Sequence, residues 1–472
     1  MDVILVNPPS RYAGKVVRDT LYGCWCKGRA NYVWPPTGLM YLAAILEKDG
    51  YKVGIFDSQV EEYFDISDFN SEYVVINTAT ITFAEDLEFI KMLKENLDVK
   101  TILVGTHVTV FPKETLKYKE VDYIVIGEPD FALRDLINCL ENGNNLKEIR
   151  GIGFKKNEKI FVTSARKPIE NLDELPFPAR RLIDHSKYFN PLAEREPFTT
   201  ALSSRGCPAR CVYCTAPVLY GRRYRFRSAE NVVDELELIE NMGFKEVFFR
   251  DESFTVNKKR VLKICELIKR RNIEISWMCN SRVDAINDEI ARAMKSAGCH
   301  TIKFGVESGV QEILNNLKKG ITLKQTKRAF EITKKHGIKR VAHFMLGSPG
   351  ETKETLEKTI KFVIYDLDAD YISPNITTPY PGTELWNMVL ESGYQLNTDF
   401  RKWNLSDSLE RAVFNEIFCN VNKEDLERAF KMAYLNFYLR PSYILKKLKT
   451  AKSPRDLAKY TKAGISLLRN VL

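Results

Sequence analysis

Two kinds of apolar segment alternate along this chain. Short, nearly continuous apolar runs are followed by longer stretches with apolar residues three and four positions apart. The first kind reads as buried parallel strand and the second as amphipathic helix. Over residues 1–150 the strand candidates are Asp2 to Asn7, Tyr51 to Asp57, Tyr73 to Asn77, Thr101 to Val104 and Asp122 to Ile126. The helix candidates between and after them are Thr37 to Gly50, Ala84 to Asn96, Lys113 to Lys117 and Phe131 to Asn142. This order predicts an α/β, doubly wound, Rossmann-like parallel sheet. Residues 151–198 read as a linker with a small hairpin around Asn157 and the proline-punctuated segment Asp173 to Arg180.

The alternation resumes over residues 199–400. Strand candidates are Thr199 to Arg205, Glu246 to Glu252, Ser276 to Arg282, Thr301 to Ser308, Arg340 to Gly347 and Tyr371 to Thr378, with helices between them. Polar residues are expected only at the C-terminal ends of these strands, the pattern of a barrel whose chemistry sits at that face. Six strands rather than eight predict an open, partial (β/α)6 barrel of TIM type. Residues 401–472 read as a helical C-terminal region, with a break at Pro441.

Composition narrows the class. The chain has 472 residues, 44% hydrophobic and 28% charged, which excludes a disordered or fibrous protein. The net charge of +9 is unevenly placed. Residues 440–472 carry nine Lys/Arg and one Asp, so the rest of the chain is nearly balanced. A protein that coats nucleic acid is therefore not expected. The basic tail, with apolar Leu457, Tyr460, Ala463, Leu467 and Leu468 at helical spacing, suits either a helix over the barrel mouth or peripheral contact with an anionic membrane. No run of 18 apolar residues occurs and Met1 to Pro8 is no signal peptide, so a reducing cytoplasm is the expected place. There, clustered cysteines read as metal or redox chemistry.

Candidate chemistry lies at strand ends. In the first domain these are Asn7-Pro8-Pro9, Thr78-Ala79-Thr80, Gly105-Thr106-His107 and Gly127-Glu128. Small and hydroxyl residues there let a large flat ligand approach the backbone, and no G-x-G-x-x-G favours a dinucleotide. In the second domain Cys207, Cys211 and Cys214 follow the first strand directly. Three soft thiolates without a nearby fourth ligand suit a four-iron cluster with one open iron better than a closed zinc site. Cys24-Trp25-Cys26 sits in a long loop and its role stays open; Cys265, Cys279 and Cys299 read as core.

The C-x3-C-x2-C spacing resembles that of radical S-adenosylmethionine enzymes, with Tyr213 at the aromatic position before the last cysteine. The resemblance implies a 4Fe-4S cluster on Cys207, Cys211 and Cys214, whose open iron chelates S-adenosylmethionine and whose electron generates a 5′-deoxyadenosyl radical. It implies S-adenosylmethionine contacts from Tyr213, Asp251, Glu252, Arg282, Glu307, and the segment from Gly347 to Glu351. A doubly wound domain ahead of the barrel, with Pro379-Tyr380-Pro381-Gly382-Thr383 near the barrel end, is similar to the cobalamin-binding branch of that family. This branch includes hopanoid and antibiotic methylases and the anaerobic chlorophyll-pathway cyclase. It implies cobalamin held base-off by Asn7, Pro8, Pro9, Thr78, Ala79, Thr80, Gly105, Thr106, His107, Gly127 and Glu128. The D-x-H-x-x-G motif that donates an axial histidine is absent, so His107 is expected to line the pocket without ligating cobalt. The resemblance also implies anaerobic chemistry and a flavodoxin- or ferredoxin-type electron donor. The expected reaction is methylation of an unactivated carbon on a lipid, isoprenoid-like or other small molecule. A cyclase, oxidase or carbon–carbon bond-forming reaction without methyl transfer is the alternative. An RNA-modifying methylthiotransferase fits less well, since no three further clustered cysteines precede the barrel.

Overall fold

A computed structural model describes residues 1–9, 17–20, 23–25, 33–61, 63–393, 399 and 415–450. Cys26 and most of the basic tail lie outside the described residues, as do the side chains of Cys24 and Trp25.

The strands of the first half are β1 (Val3–Asn7), β2 (Val17–Thr20), β3 (Gly23–Trp25), β4 (Val53–Asp57), β5 (Tyr73–Asn77), β6 (Lys100–Val104), β7 (Tyr123–Val125), β8 (Ile152–Lys156) and β9 (Lys159–Val162). Seven of them form one sheet in the order β4-β1-β5-β6-β7-β8-β9. The first five are parallel and form the expected doubly wound sheet, its two faces buried under separate apolar clusters. β8 and β9 differ from expectation. The hairpin is no free linker element; it pairs antiparallel with β7 and extends the sheet. The buried run Ile152, Gly153 and Phe154 explains this, since Gly153 packs closely against Ile124 and Leu116. A second difference is the short helix Thr106–Val110, which replaces the simple turn read at Gly105-Thr106-His107.

The second half contributes β10 (Phe198–Ala201), β11 (Ser204–Arg205), β12 (Arg225–Phe226), β13 (Glu246–Phe249), β14 (Ser276–Ser281), β15 (Cys299–Glu307), β16 (Lys339–Leu346) and β17 (Tyr371–Ile376). Six of them make an all-parallel sheet in sequence order, β10-β13-β14-β15-β16-β17. The intervening helices have identifiable starts. Ser228, Asn257, Asn287, Thr322 and Thr352 each accept a backbone N–H of the first turn. Val247, Phe249, Trp277, Cys279, Ile302, Phe304, Ala342 and Phe344 pack outward against those helices, with Cys265 and Cys299 in the same core.

The inward face corrects one expectation. Polar residues are not confined to strand ends: Lys303 stands in the middle of β15 and His343 in the middle of β16. Period-two alternation puts them opposite the outward Ile302, Phe304, Ala342 and Phe344, which makes the lumen partly polar.

The two halves meet over a buried polar seam. Arg205 donates to both oxygens of Asp130 at 2.7 and 2.9 Å, and Arg225 to both oxygens of Glu128 at 2.9 and 2.8 Å. Arg180 bridges Glu235 and the Thr200 carbonyl. Trp34 of the first half enters the lumen and packs edge-on against Phe248, 5.4 Å between centroids. Among the described residues no helix is long and apolar enough to cross a membrane.

Candidate active site

The cysteine loop is built from below. Gly206 has φ of 80°, and a Cβ there would meet the Arg223 carbonyl at 2.4 Å, so only glycine lets β11 turn into the loop. Asp251, fully buried just beyond β13, accepts from the Ser203 backbone at 2.7 Å and from the Ser203 and Ser204 hydroxyls at 2.5 Å each. Its carboxylate therefore fastens the base of the loop. Val212 at the middle of the loop donates to the Leu317 carbonyl at 3.1 Å and accepts from Leu385 at 2.9 Å.

Cys211 is buried, Cys207 and Cys214 are partly buried, and none is in a disulfide. Burial pushes the Cys207 thiol up, and burial together with neighbouring Cys211 pushes Cys214 up to about 12. Apolar surroundings and mutual repulsion thus disfavour bare thiolates, and a bound cation is what would stabilise them. Among the described residues no three His, Cys, Asp or Glu groups converge on a single metal ion. A four-iron cluster needs no such convergence, because each thiolate binds a different iron. The three thiols fit that group.

Around the loop runs a chain of charged contacts. The Lys319 ammonium lies 3.3 Å from the Tyr213 hydroxyl and 2.6 Å from Glu307 Oε1. Glu307 holds φ of 64° and ends β15 at a register shift, a left-handed backbone uncommon outside glycine and typical of functional sites. A Cβ at Gly305 would sit 2.5 Å from Glu307 Oε1 and 2.6 Å from Lys319 Nζ, so that position is kept open for the pair. Arg282 forks onto Asp284 at 2.9 Å and donates to the Lys319 carbonyl at 2.9 Å. Its charge, and that of Glu252, reach Cys207. Arg210, Arg282, Asp284, Lys318 and Lys319 line a cleft of about 620 Å³ beside the loop.

At the end of β16, Gly347 has φ of 80° and its carbonyl accepts from Asn415 at 2.5 Å. Glu351 is fully buried; one oxygen accepts from the Ser348 backbone at 2.7 Å, and burial pushes its pKa up to about 8. The other oxygen has no partner among the described residues.

The expected site residues thus separate. Cys207, Cys211, Cys214, Tyr213, Glu252, Arg282 and Glu307 surround one loop, Gly347 and Glu351 flank it on the next strand end, and Asp251 lies beneath as a clamp. Lys319, Gly305 and Asn415 were missed. Lys319 has no motif of its own in the sequence, and its place depends on the fold bringing it over β15.

The strand ends of the first sheet form a second cluster. Asn7 donates to the Arg18 carbonyl and accepts from Asn77; Thr78 donates to Asp86, which also pairs with Arg18 at 2.7 Å. Gly105 has φ of 115°, and a Cβ there would strike the Thr78 carbonyl at 2.2 Å. Gly127 faces open space, and Thr106, next to Gly105, is half-buried. Pro8, Ala79 and Thr80 line the same edge as buried residues and Pro9 as a half-buried one. This small-residue edge fits the approach of a large planar group. Two residues face elsewhere. His107 is fully buried, stacked 3.8 Å from Phe83, with Nδ1 3.2 Å from Thr80 Oγ1; burial pushes its pKa down to about 3. Glu128 is committed to Arg225 and the Ile169 backbone at the seam.

The two clusters adjoin. A Cβ at Gly382, beyond β17, would meet Val110 of the first half at 2.8 Å and Val218 behind the cysteine loop at 3.0 Å. The barrel's C-terminal face therefore abuts the C-terminal edge of the first sheet.

Comparisons with known proteins agree with this arrangement. The B12 binding domain profile matches residues 26–137 and the Radical SAM superfamily profile residues 202–363. An uncharacterized methyltransferase of Pyrococcus horikoshii is 35% identical over 94% of both chains. The chain belongs to the cobalamin-binding radical S-adenosylmethionine enzymes. A 4Fe-4S cluster, S-adenosylmethionine and cobalamin are the cofactors of that family. The hopanoid C-3 methylase of Methylococcus capsulatus is 28% identical over 79% of this chain and 72% of its own length. The anaerobic magnesium-protoporphyrin IX monomethyl ester cyclase of Rubrivivax gelatinosus is 29% identical over 84% of this chain and 75% of its own. The fold is shared with the solved radical S-adenosylmethionine methyltransferase TsrM of Kitasatospora setae, TM-score 0.65 at 20% identity, over 83% of this chain and 76% of that one. It is also shared with the cobalamin-dependent enzyme OxsB, TM-score 0.68 at 18% identity, over 99% of this chain and 72% of that one.

Proposed function

We propose that this enzyme methylates an unactivated carbon of a small-molecule or lipid substrate held in the barrel lumen. The observation that supports the reading is the close packing of Gly382, beyond β17, near Val110 of the first half and Val218 behind the cysteine loop, which brings the barrel's C-terminal face against the edge of the first sheet. When bound, the cluster and S-adenosylmethionine supply a hydrogen-abstracting radical and cobalamin supplies the methyl group. The chain's own residues position and exclude. Cys207, Cys211 and Cys214 hold the cluster; Tyr213, Glu252, Arg282, Glu307, Gly347 and Glu351 orient S-adenosylmethionine. Asn7, Pro8, Pro9, Thr78, Ala79, Thr80, Gly105, Thr106 and Gly127 receive the corrin base-off, since neutral, buried His107 is engaged within the core. Trp34 and Phe248 supply an apolar wall on the inward face.

Relatives whose names record methylation, the Pyrococcus protein and the hopanoid methylase, support methyl transfer. The cyclase, at similar identity, supports ring formation as the second reading. Anaerobic reaction with S-adenosylmethionine labelled in its methyl group separates them. Methylation predicts label and one added methyl mass in an extracted product; ring formation leaves the product unlabelled. A ferredoxin- or flavodoxin-type donor supplies the electron. Peripheral membrane contact is proposed through the helix Pro441–Thr450, which exposes Ile444, Leu445 and Leu448.

A further inference from the structure

The chain has five histidines, and four of them are tied by hydrogen bonds. His107 bonds to Thr80, His185 to the Arg180 carbonyl, His300 to Glu246 and His336 to Asp288. His343 makes no hydrogen bond to any described residue. An imidazole in the middle of a barrel strand normally has a partner, so this one needs an explanation.

Its position supplies one. The strand registers place Gly305 of β15, His343 of β16 and Ser373 of β17 side by side in one inward layer. Asn280 of β14 faces inward one layer below, and Asn375 of β17 one layer above. All five are half-buried, while the outward residues between them on each strand are buried. Water therefore reaches the inward face along this polar strip. Gly305 adds no side chain to the layer, and His343 sits one strand away from the Glu307–Lys319 pair that reaches Tyr213. The Ser373 carbonyl accepts from Asn375 at 3.1 Å, and its hydroxyl makes no hydrogen bond among the described residues. Burial first, and then the charges of Lys303, Arg250 and Lys319, hold His343 well below its ordinary range, so the ring is neutral. A neutral ring offers one N–H donor and one nitrogen acceptor, and the serine hydroxyl offers both.

We propose that His343 and Ser373 form a subsite that binds a hydroxyl group of the substrate. The hydroxyl donates to the bare ring nitrogen and accepts from the Ser373 hydroxyl. A site with paired donor and acceptor selects against a molecule without the hydroxyl, because its own polar groups would then be buried unpaired. This rests on the lumen being the chamber in which the substrate is methylated. It narrows the substrate class from plain hydrocarbons to alcohols.

Two measurements on the anaerobically reconstituted holoenzyme at saturating S-adenosylmethionine test the subsite. Diethyl pyrocarbonate modifies neutral, reachable imidazoles, and trypsin releases His343 as the only histidine of the peptide Val341 to Lys353. Mass analysis should show His343 modified faster than the fully buried His107, and excess geraniol should slow that modification. An unmodified His343 overturns the proposal. Calorimetric titration then compares geraniol with the hydrocarbon that lacks only its hydroxyl. Geraniol is expected to bind at least about tenfold more tightly. His343→Leu should abolish that preference and Ser373→Ala should reduce it, with iron and corrin content unchanged. His343→Gln, which keeps a donor and an acceptor, should retain it. Equal affinity for the two probes, no binding of geraniol, or a preference that survives His343→Leu overturns the proposal. Should His343→Leu fail to fold, the peptide analysis and the two probes on the natural chain still decide. Product labelling is read separately. A labelled product with no hydroxyl refutes the subsite alone, whereas hydroxyl-selective binding with an unlabelled product refutes the methylation reading alone.

Discussion

At the scale of single residues, the site depends on groups held in states they would not choose in water. Glu351 is the clearest. Its folded pKa of about 8 lies above the usual 4.5, so between those limits the folded chain keeps a proton that the unfolded chain has lost. Stability from this group is full below about pH 4.5 and falls as pH rises towards 8, at about 1.4 kcal/mol per pH unit. Glu351→Gln keeps an acceptor for the Ser348 N–H, so it should flatten that slope and raise the midpoint of denaturant unfolding at pH 8. An unchanged slope would show that Glu351 is already ionised at neutral pH. His107 has the opposite sign. Neutral when folded down to about pH 3, it loses stability as pH falls below its ordinary 6.5. His107→Phe should remove that acid sensitivity in the same titration. Of these residues, the three cysteines were legible from spacing alone, because a cluster needs them within one loop. Lys319 was not, since nothing local marks a lysine that acts from a neighbouring loop.

At the scale of elements, the strands and helices of both halves follow from apolar runs and helical spacing. The errors arose where tertiary pairing decided the outcome. β8 and β9 were visible as a hairpin, yet their pairing with β7 depends on an open sheet edge that no local pattern reports. Lys303 lies in the middle of Thr301 to Ser308, a strand expected to be polar only at its end, and its inward place follows from the two-sided alternation of the barrel. The seam was likewise invisible, because its acids and arginines lie far apart in sequence. Burying a paired ion contributes little net stability, while removing one partner strands the other. Arg205→Met should therefore destabilise the fold by about 3–5 kcal/mol. The double variant Arg205→Met/Asp130→Leu should recover much of it, and urea unfolding of the two variants with their parent measures the difference. No recovery would mean that Arg205 acts through its stacking on Tyr220, 5.1 Å away, rather than through Asp130.

At the scale of the whole molecule, the charge excess separates from the chemistry. The body is nearly neutral and the last 33 residues carry the net charge, outside both cofactor modules. With Ile444, Leu445 and Leu448 exposed nearby, the full chain should float with anionic phosphatidylglycerol vesicles and release at high salt. Leu445→Glu/Leu448→Glu should prevent flotation; unchanged flotation would remove this helix from the account. The catalytic claim rests on one chain holding both an iron–sulfur cluster and cobalamin. Iron and cobalt analysis of the anaerobically reconstituted chain tests it most directly, alongside the Cys207→Ala/Cys211→Ala/Cys214→Ala variant. The account predicts about four irons and about one cobalt per natural chain, and cobalt without iron in the variant. Fewer than about four irons in the natural chain, or no retained corrin in either protein, would contradict it.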